Sequence, residues 1–100
     1  MIRIKVTYQD NDIKQITLKG HANYEEYGKD IVCAAVSATY LCTINGILSL
    51  KENSIEVLSN HNTEIINILD NNDITNKLLQ NMIRCLKSLE KKYPNNIKIK

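Results

Sequence analysis

The sequence has no pair of cysteines at C-x-x-C spacing, and its three cysteines, Cys33, Cys42 and Cys85, are odd in number. Both facts argue against a secreted disulfide framework and against a cysteine-based zinc site. The first residues, MIRIKVTY, alternate in polarity and lack the apolar run of a signal peptide. A reduced, cytoplasmic protein is expected, with no structural or catalytic metal and no cofactor. Net charge is also scarce. The formal value is +2, with 13 basic and 11 acidic residues interspersed. A strong nucleic-acid binder usually carries a basic stripe. Here the densest basic cluster is Lys91 and Lys92, with Lys98 and Lys100 beyond it, so no nucleic acid is required as a partner.

Charge is missing altogether from Ile31 to Leu50, a run of 20 residues. That is long enough to span a bilayer. It contains Ser37, Thr39, Thr43, Asn45, Gly46 and Ser49, however, and no charged flanks that fix an orientation. A buried core helix is expected, and no membrane. Linkers, repeats and low-complexity segments are lacking too. A chain of 100 residues then reads as one domain, 1–100, large enough for a modest core that dimerisation would help.

What is present is regular. Ile2, Ile4, Val6 and Tyr8 alternate with Arg3, Lys5 and Thr7, a period-two strand. Asp10-Asn11-Asp12 is a turn, and Ile13, Ile16 and Leu18 a second strand that stops at Gly20. The uncharged run gives a helix capped by Asp30, in which Ala34, Ala35 and Ala38 let other backbone approach. Ile55 and Val57 mark a third strand, Asn60-His61-Asn62 a turn, and Glu64 to Leu69 a fourth strand. A second helix starts at a capping Asp73. Its core face is Ile74, Leu78, Leu79, Met82, Leu86, Leu89 and Tyr93, and Pro94 ends it. Ile97 and Ile99 form a last strand. The fold class is α+β, in the order β-β-α-β-β-α-β, with helices packed on a mixed sheet.

The reactive groups crowd into GHANYEEYGKDIVCAAVS, Gly20 to Ser37. With Asp30 as cap, Cys33 is the third helical residue. Its N–H then lies among those without an intrahelical partner, and the helix dipole favours a thiolate there. The same N–H groups suit an oxyanion. Asp30 opposes a thiolate, so a cation is needed, and His21 is the candidate. The eleven residues between His21 and Cys33 let the chain double back. A Cys–His pair performs acyl transfer, the imidazole taking the thiol proton and returning it to the leaving group. Ser37, four residues on, shares a helix face with Cys33 and either bonds to the site or packs as a small residue. Asp30 is a cap, a site residue or both. Gly20 and Gly28 permit positive φ. Tyr24 and Tyr27 either meet a substrate or fold over their loop. Cys42 and Cys85 read as core filler, and His61 as a solvated turn residue. Protease, thioesterase and a non-catalytic RNA-binding or ribosome-associated module all stay open at this level.

The stretch closely resembles the signature of the Prp family, the ribosomal-processing cysteine proteases of bacteria, through G-H-A and G-x-D-I-V-C-A-A-V-S. Members are similar in length and in β-β-α-β-β-α-β order. The resemblance implies a cysteine endopeptidase with Cys33 as nucleophile and His21 as base. It implies supporting roles for Asp30 and Ser37, and makes Tyr24 to Lys29 similar to the family's loop that orders around substrate. It further implies a homodimer. The expected partner is the precursor of large-subunit ribosomal protein number twenty-seven, whose short N-terminal extension, ending in aromatic residues before a small one, is removed.

Overall fold

A computed structural model describes residues 1–20 and 29–100, with the side chains of all of these except Lys29 and Asp30. The elements are β1 (Ile2–Gln9), β2 (Asp12–Lys19), α1 (Lys29–Leu50), β3 (Ile55–Asn60), β4 (Thr63–Ile68), α2 (Asp73–Lys92) and β5 (Ile97–Ile99). They build a five-stranded sheet in the order β3-β4-β2-β1-β5. Four strands pair antiparallel, and β5 joins β1 in parallel. The expected α+β order and mixed sheet are present.

Local chemistry explains the turns. Asp10 and Asn11 both take positive φ, 53° and 71°, the conformation a two-residue hairpin loop needs to follow strand twist. His61, also at positive φ and exposed, heads the β3–β4 turn. Asn72, not Asp73, caps α2. Its Oδ1 accepts from the Thr75 N–H at 2.9 Å, so the helix begins one residue earlier than expected and Asp73 sits in its first turn.

Alternation sorts the sheet into two faces. Ile2, Ile4, Ile16, Leu18, Ile66 and Ile97 point to one side and are buried beneath Val32, Val36, Tyr40, Ile44 and Ile47 of α1 and Leu79, Met82, Ile83 and Leu86 of α2. The helices cover only this side. At the β5 edge, the Ile99 N–H donates to Glu90 Oε2 of α2 at 2.9 Å, which removes one open donor from an edge strand.

Several expectations of burial need correction. Ile74 is 42% exposed, because the α2 core face turns on Thr75 instead, whose hydroxyl donates to Ser54 Oγ at 2.9 Å. Cys42 and Cys85 are exposed rather than core. Cys42 lies beside Leu41 on the outer side of α1, and Cys85 falls between the inward pair Met82–Ile83 and the inward Leu86. Nor is α1 buried all round, although it is long and apolar enough to cross a bilayer. Several of its polar side chains bond within the helix. Thr39 and Thr43 donate to carbonyls four residues back, at 2.8 and 2.9 Å, so they do not mark a wet face.

Candidate active site

The site is framed by the end of β2 and the start of α1. Gly20 closes β2 with φ of +86°, and its N–H donates to the Asn62 carbonyl at 2.9 Å. A Cβ there would come within 2.7 Å of the Met1 carbonyl oxygen. Two independent constraints therefore require glycine just before His21: the left-handed backbone and the close approach of the β1 end.

His21, Tyr24, Tyr27 and Gly28 lie outside the described residues. Asp30 is described through its backbone only. That backbone corrects the expected cap: α1 begins at Lys29, so Asp30 is the second helical residue and Cys33 the fifth. The N–H of a fifth residue bonds within the helix. The donors without such partners belong to the turn before Cys33, among them those of Lys29, Asp30 and Ile31. Helical side chains lean toward the N-terminus, so the Cys33 sulfur leans back toward those donors.

Cys33 is 5% exposed and packs in the core cluster. Ser37 is half-buried one turn on, and Tyr40, seven residues from Cys33, is buried on the same side of α1. Tyr40 meets the sheet through a polar contact. Glu64 lies opposite Leu18 on β2 and Ser59 on β3, placing a carboxylate on the core side. Tyr40 Oη donates to Glu64 Oε2 at 3.3 Å, and Ser59 Oγ donates to the same oxygen. Burial first, then the charge of Glu64 and its hydrogen bond, push the Tyr40 phenol well above its ordinary pKa. Sequence reasoning missed this cluster. Its signal was that Glu64 shares strand parity with Ile66 and Ile68 and so had to face inward. The cluster sits about 10 Å along the helix axis from Cys33, seven residues at about 1.5 Å each. It braces α1 against the sheet.

Comparison with known proteins agrees with this frame. Residues 1–98 match the family described as cysteine protease Prp. The chain is 32% identical over 103 residues to the ribosomal processing cysteine protease Prp of Staphylococcus aureus (strain Mu50 / ATCC 700699), covering 99% of this chain and 97% of that protein. It is 26% identical over 97 residues to the protein of the same name from Bacillus subtilis (strain 168), covering 90% and 87% respectively. The crystal structure of an essential ribosomal processing protease Prp from S. aureus in complex with a substrate peptide superposes with a TM-score of 0.93 at 31% identity, covering 100% of this chain and 98% of that one. A second S. aureus structure, holding a covalently linked product peptide, gives 0.89 at 32% identity, covering 99% and 97%.

Proposed function

The chain belongs to the Prp family of cysteine proteases, and on that premise we propose that Cys33 and His21 form its catalytic dyad. The observation that carries this reading is the placement of Cys33 one turn into α1, where a helical side chain leans toward first-turn N–H groups that have no partner within the helix. His21 follows directly on a β2 end that Gly20 holds in place.

The Cys33 sulfur, as thiolate, attacks the scissile carbonyl, and His21 takes the thiol proton. The carbonyl oxygen gains negative charge, which the first-turn N–H groups and the helix dipole stabilise. The C–N bond breaks as His21 returns the proton to the leaving amine, and a thioester remains on Cys33. Water, deprotonated by His21, then releases the acid product. Cysteine, histidine and water balance every step, so no cofactor or metal is invoked. Asp30, in the first turn, and Ser37, on the Cys33 side of the helix, support the dyad. Tyr24, Tyr27 and Gly28 belong to the segment assigned to substrate, and Gly20 is its anchored start.

The substrate in this reading is the precursor of large-subunit ribosomal protein number twenty-seven, cut after the aromatic end of its N-terminal extension in the cytoplasm. The S. aureus relatives are named for ribosomal processing. Family membership disfavours the thioesterase and non-catalytic alternatives. The test is cleavage of a peptide carrying an aromatic-aromatic-small sequence. Activity should vanish in both Cys33→Ala and His21→Ala, and full activity in Cys33→Ala would sink the assignment.

The same reading includes a homodimer. Ile31, Ala34, Ala38, Leu41, Asn45 and Leu48 are all exposed on α1. They recur at alternating spacings of three and four, the seam a second helix fills. The small residues at 34 and 38 then admit the backbone they were expected to admit, from a second copy of the chain. A seam of this kind accounts for the exposed apolar side of α1 without a membrane. Wild type should sediment as a dimer and Leu41→Glu as a monomer. A wild-type monomer at tens of micromolar refutes it.

A further inference from the structure

The side of the sheet that the helices leave open carries a charge pattern the proteolytic reading does not use. Cross-strand register places Arg3 of β1 directly beside Lys19 of β2 and Lys98 of β5. Two residues along, Lys5 lies beside Thr17 of β2, with Lys100 following Ile99 on the β5 side. Together with Gln15, these residues line a shallow depression of about 320 Å³. All five cations are exposed. Among the described residues none of the five makes an ion pair. Glu56 shares this side but lies on β3, three strands from β1, where Asn67 donates to it at 3.2 Å.

Like charges placed directly opposite on neighbouring strands destabilise a sheet. Lysines on an edge strand guard against edge-to-edge pairing, which accounts for Lys98 and Lys100 on β5. It does not account for Arg3, Lys5 and Lys19, which lie on inner strands. The molecule as a whole carries only +2, so five cations on one face is a strong asymmetry. An isolated acidic side chain would engage one or two of them. Two adjacent rows of cations suit a polyanion with a charge on every repeat, and the guanidinium fork of Arg3 suits phosphate. We propose that the open face of β2, β1 and β5 binds the phosphate backbone of single-stranded RNA. The choice of RNA among polyanions rests on the ribosomal substrate proposed above. The charge pattern itself does not depend on that reading.

Each phosphate neutralised contributes about −0.7 to the slope of log affinity against log salt for a single strand. Five contacts give a slope near −3.5, a loss of about 100-fold between 50 and 200 mM salt. The assay is fluorescence anisotropy with a labelled single-stranded RNA 20-mer of mixed sequence. Wild type should bind with that steep slope. Arg3→Glu/Lys98→Glu should lose binding, and so should Lys5→Gln/Lys100→Gln, a milder variant that guards against misfolding. Lys51→Glu/Lys87→Glu carries the same charge change as the first pair on exposed helix-side positions and should bind as wild type does. Peptide cleavage should survive in all three, which separates failure of this inference from failure of the protease assignment. Absence of binding at 50 mM salt, or equal binding by wild type and Arg3→Glu/Lys98→Glu, overturns the proposal. Displacement of the RNA by poly-glutamate at equal charge overturns it in favour of an acidic polypeptide.

Discussion

Gly20→Ala tests whether the β2 end is as constrained as its geometry indicates. Two costs combine. An L-residue held in the left-handed region loses about 1–2 kcal/mol. Gly20 is there, at φ +86°. The new Cβ would also stand 2.7 Å from the Met1 carbonyl oxygen, too close to persist. Neither side can yield as a flexible side chain does. Met1 leads into Ile2, whose N–H donates to Asn96 at 2.8 Å, and Gly20 is tied to Asn62. Forcing such a shift costs about 1–3 kcal/mol. The sum is about 2–5 kcal/mol, or a fall of about 10–30 °C in Tm for a domain this size. Thermal and urea unfolding followed by circular dichroism give the number. Gly46→Ala is the counterpart: its Cβ meets nothing within 4 Å, and alanine in mid-helix gains about 0.5–1 kcal/mol. A Gly20→Ala Tm within about 2 °C of wild type would refute the reasoning.

Tyr40→Phe removes the phenol that donates to Glu64, and should cost about 0.5–1.5 kcal/mol at neutral pH. The folded phenol titrates above its ordinary value of 10.0, so its stabilisation is complete below pH 10 and falls as pH rises beyond it, when only the unfolded chain ionises. Wild type should therefore lose stability above pH 10 faster than Tyr40→Phe in pH-dependent urea titrations, and parallel curves would contradict this. Asn72→Ala should cost about 1 kcal/mol through the lost α2 cap, with Asn72→Asp recovering most of it in the same titration. In a Cys42→Ser/Cys85→Ser background, which removes the two exposed thiols, iodoacetamide should modify Cys33 at neutral pH faster than an ordinary thiol; mass spectrometry that finds an ordinary rate weakens the dyad.

The element order was readable because periodicity changes cleanly along the chain. Ile2, Ile4 and Val6 alternate, while Leu79, Met82, Ile83 and Leu86 recur at helical spacing. What failed were positions where hydrophobicity does not decide direction. In α1 nearly every position is small or apolar, so composition could not tell the inward Val36, Tyr40 and Ile47 from the outward Ile31 and Leu41. Cys42 is exposed on that same helix, whereas Cys85 lies on the outer side of the amphipathic α2. The shift of the α1 start from Ile31 to Lys29 is small in residues but changes the chemistry, because it moves the Cys33 N–H from an unpartnered donor to a bonded one. In the proposed dyad, thiolate stabilisation then rests on the first turn of α1 and not on the cysteine's own amide.

The candidate site was legible because its residues are neighbours in sequence, from Gly20 to Ser37. The basic face was not, because Arg3, Lys5, Lys19, Lys98 and Lys100 come from both ends of the chain and meet only through the β2-β1-β5 pairing. A count of charges along the sequence averages them with the acids of the helices and turns and returns a near-neutral protein. Parallel addition of β5 beside β1 is the step that concentrates them, since it sets Lys98 next to Arg3 on the side the helices do not cover. One sheet therefore serves two surfaces. Its covered side braces α1 and the cysteine through Tyr40 and Glu64. Its open side presents cations whose mutual repulsion the fold tolerates. The Lys19–Gly20 step belongs to both, because β2 ends there in a cation on one side and in the lead to His21 beyond. An anion bound across Arg3 and Lys19 would thus lie at the same end of the sheet as Gly20, the residue before the proposed base His21.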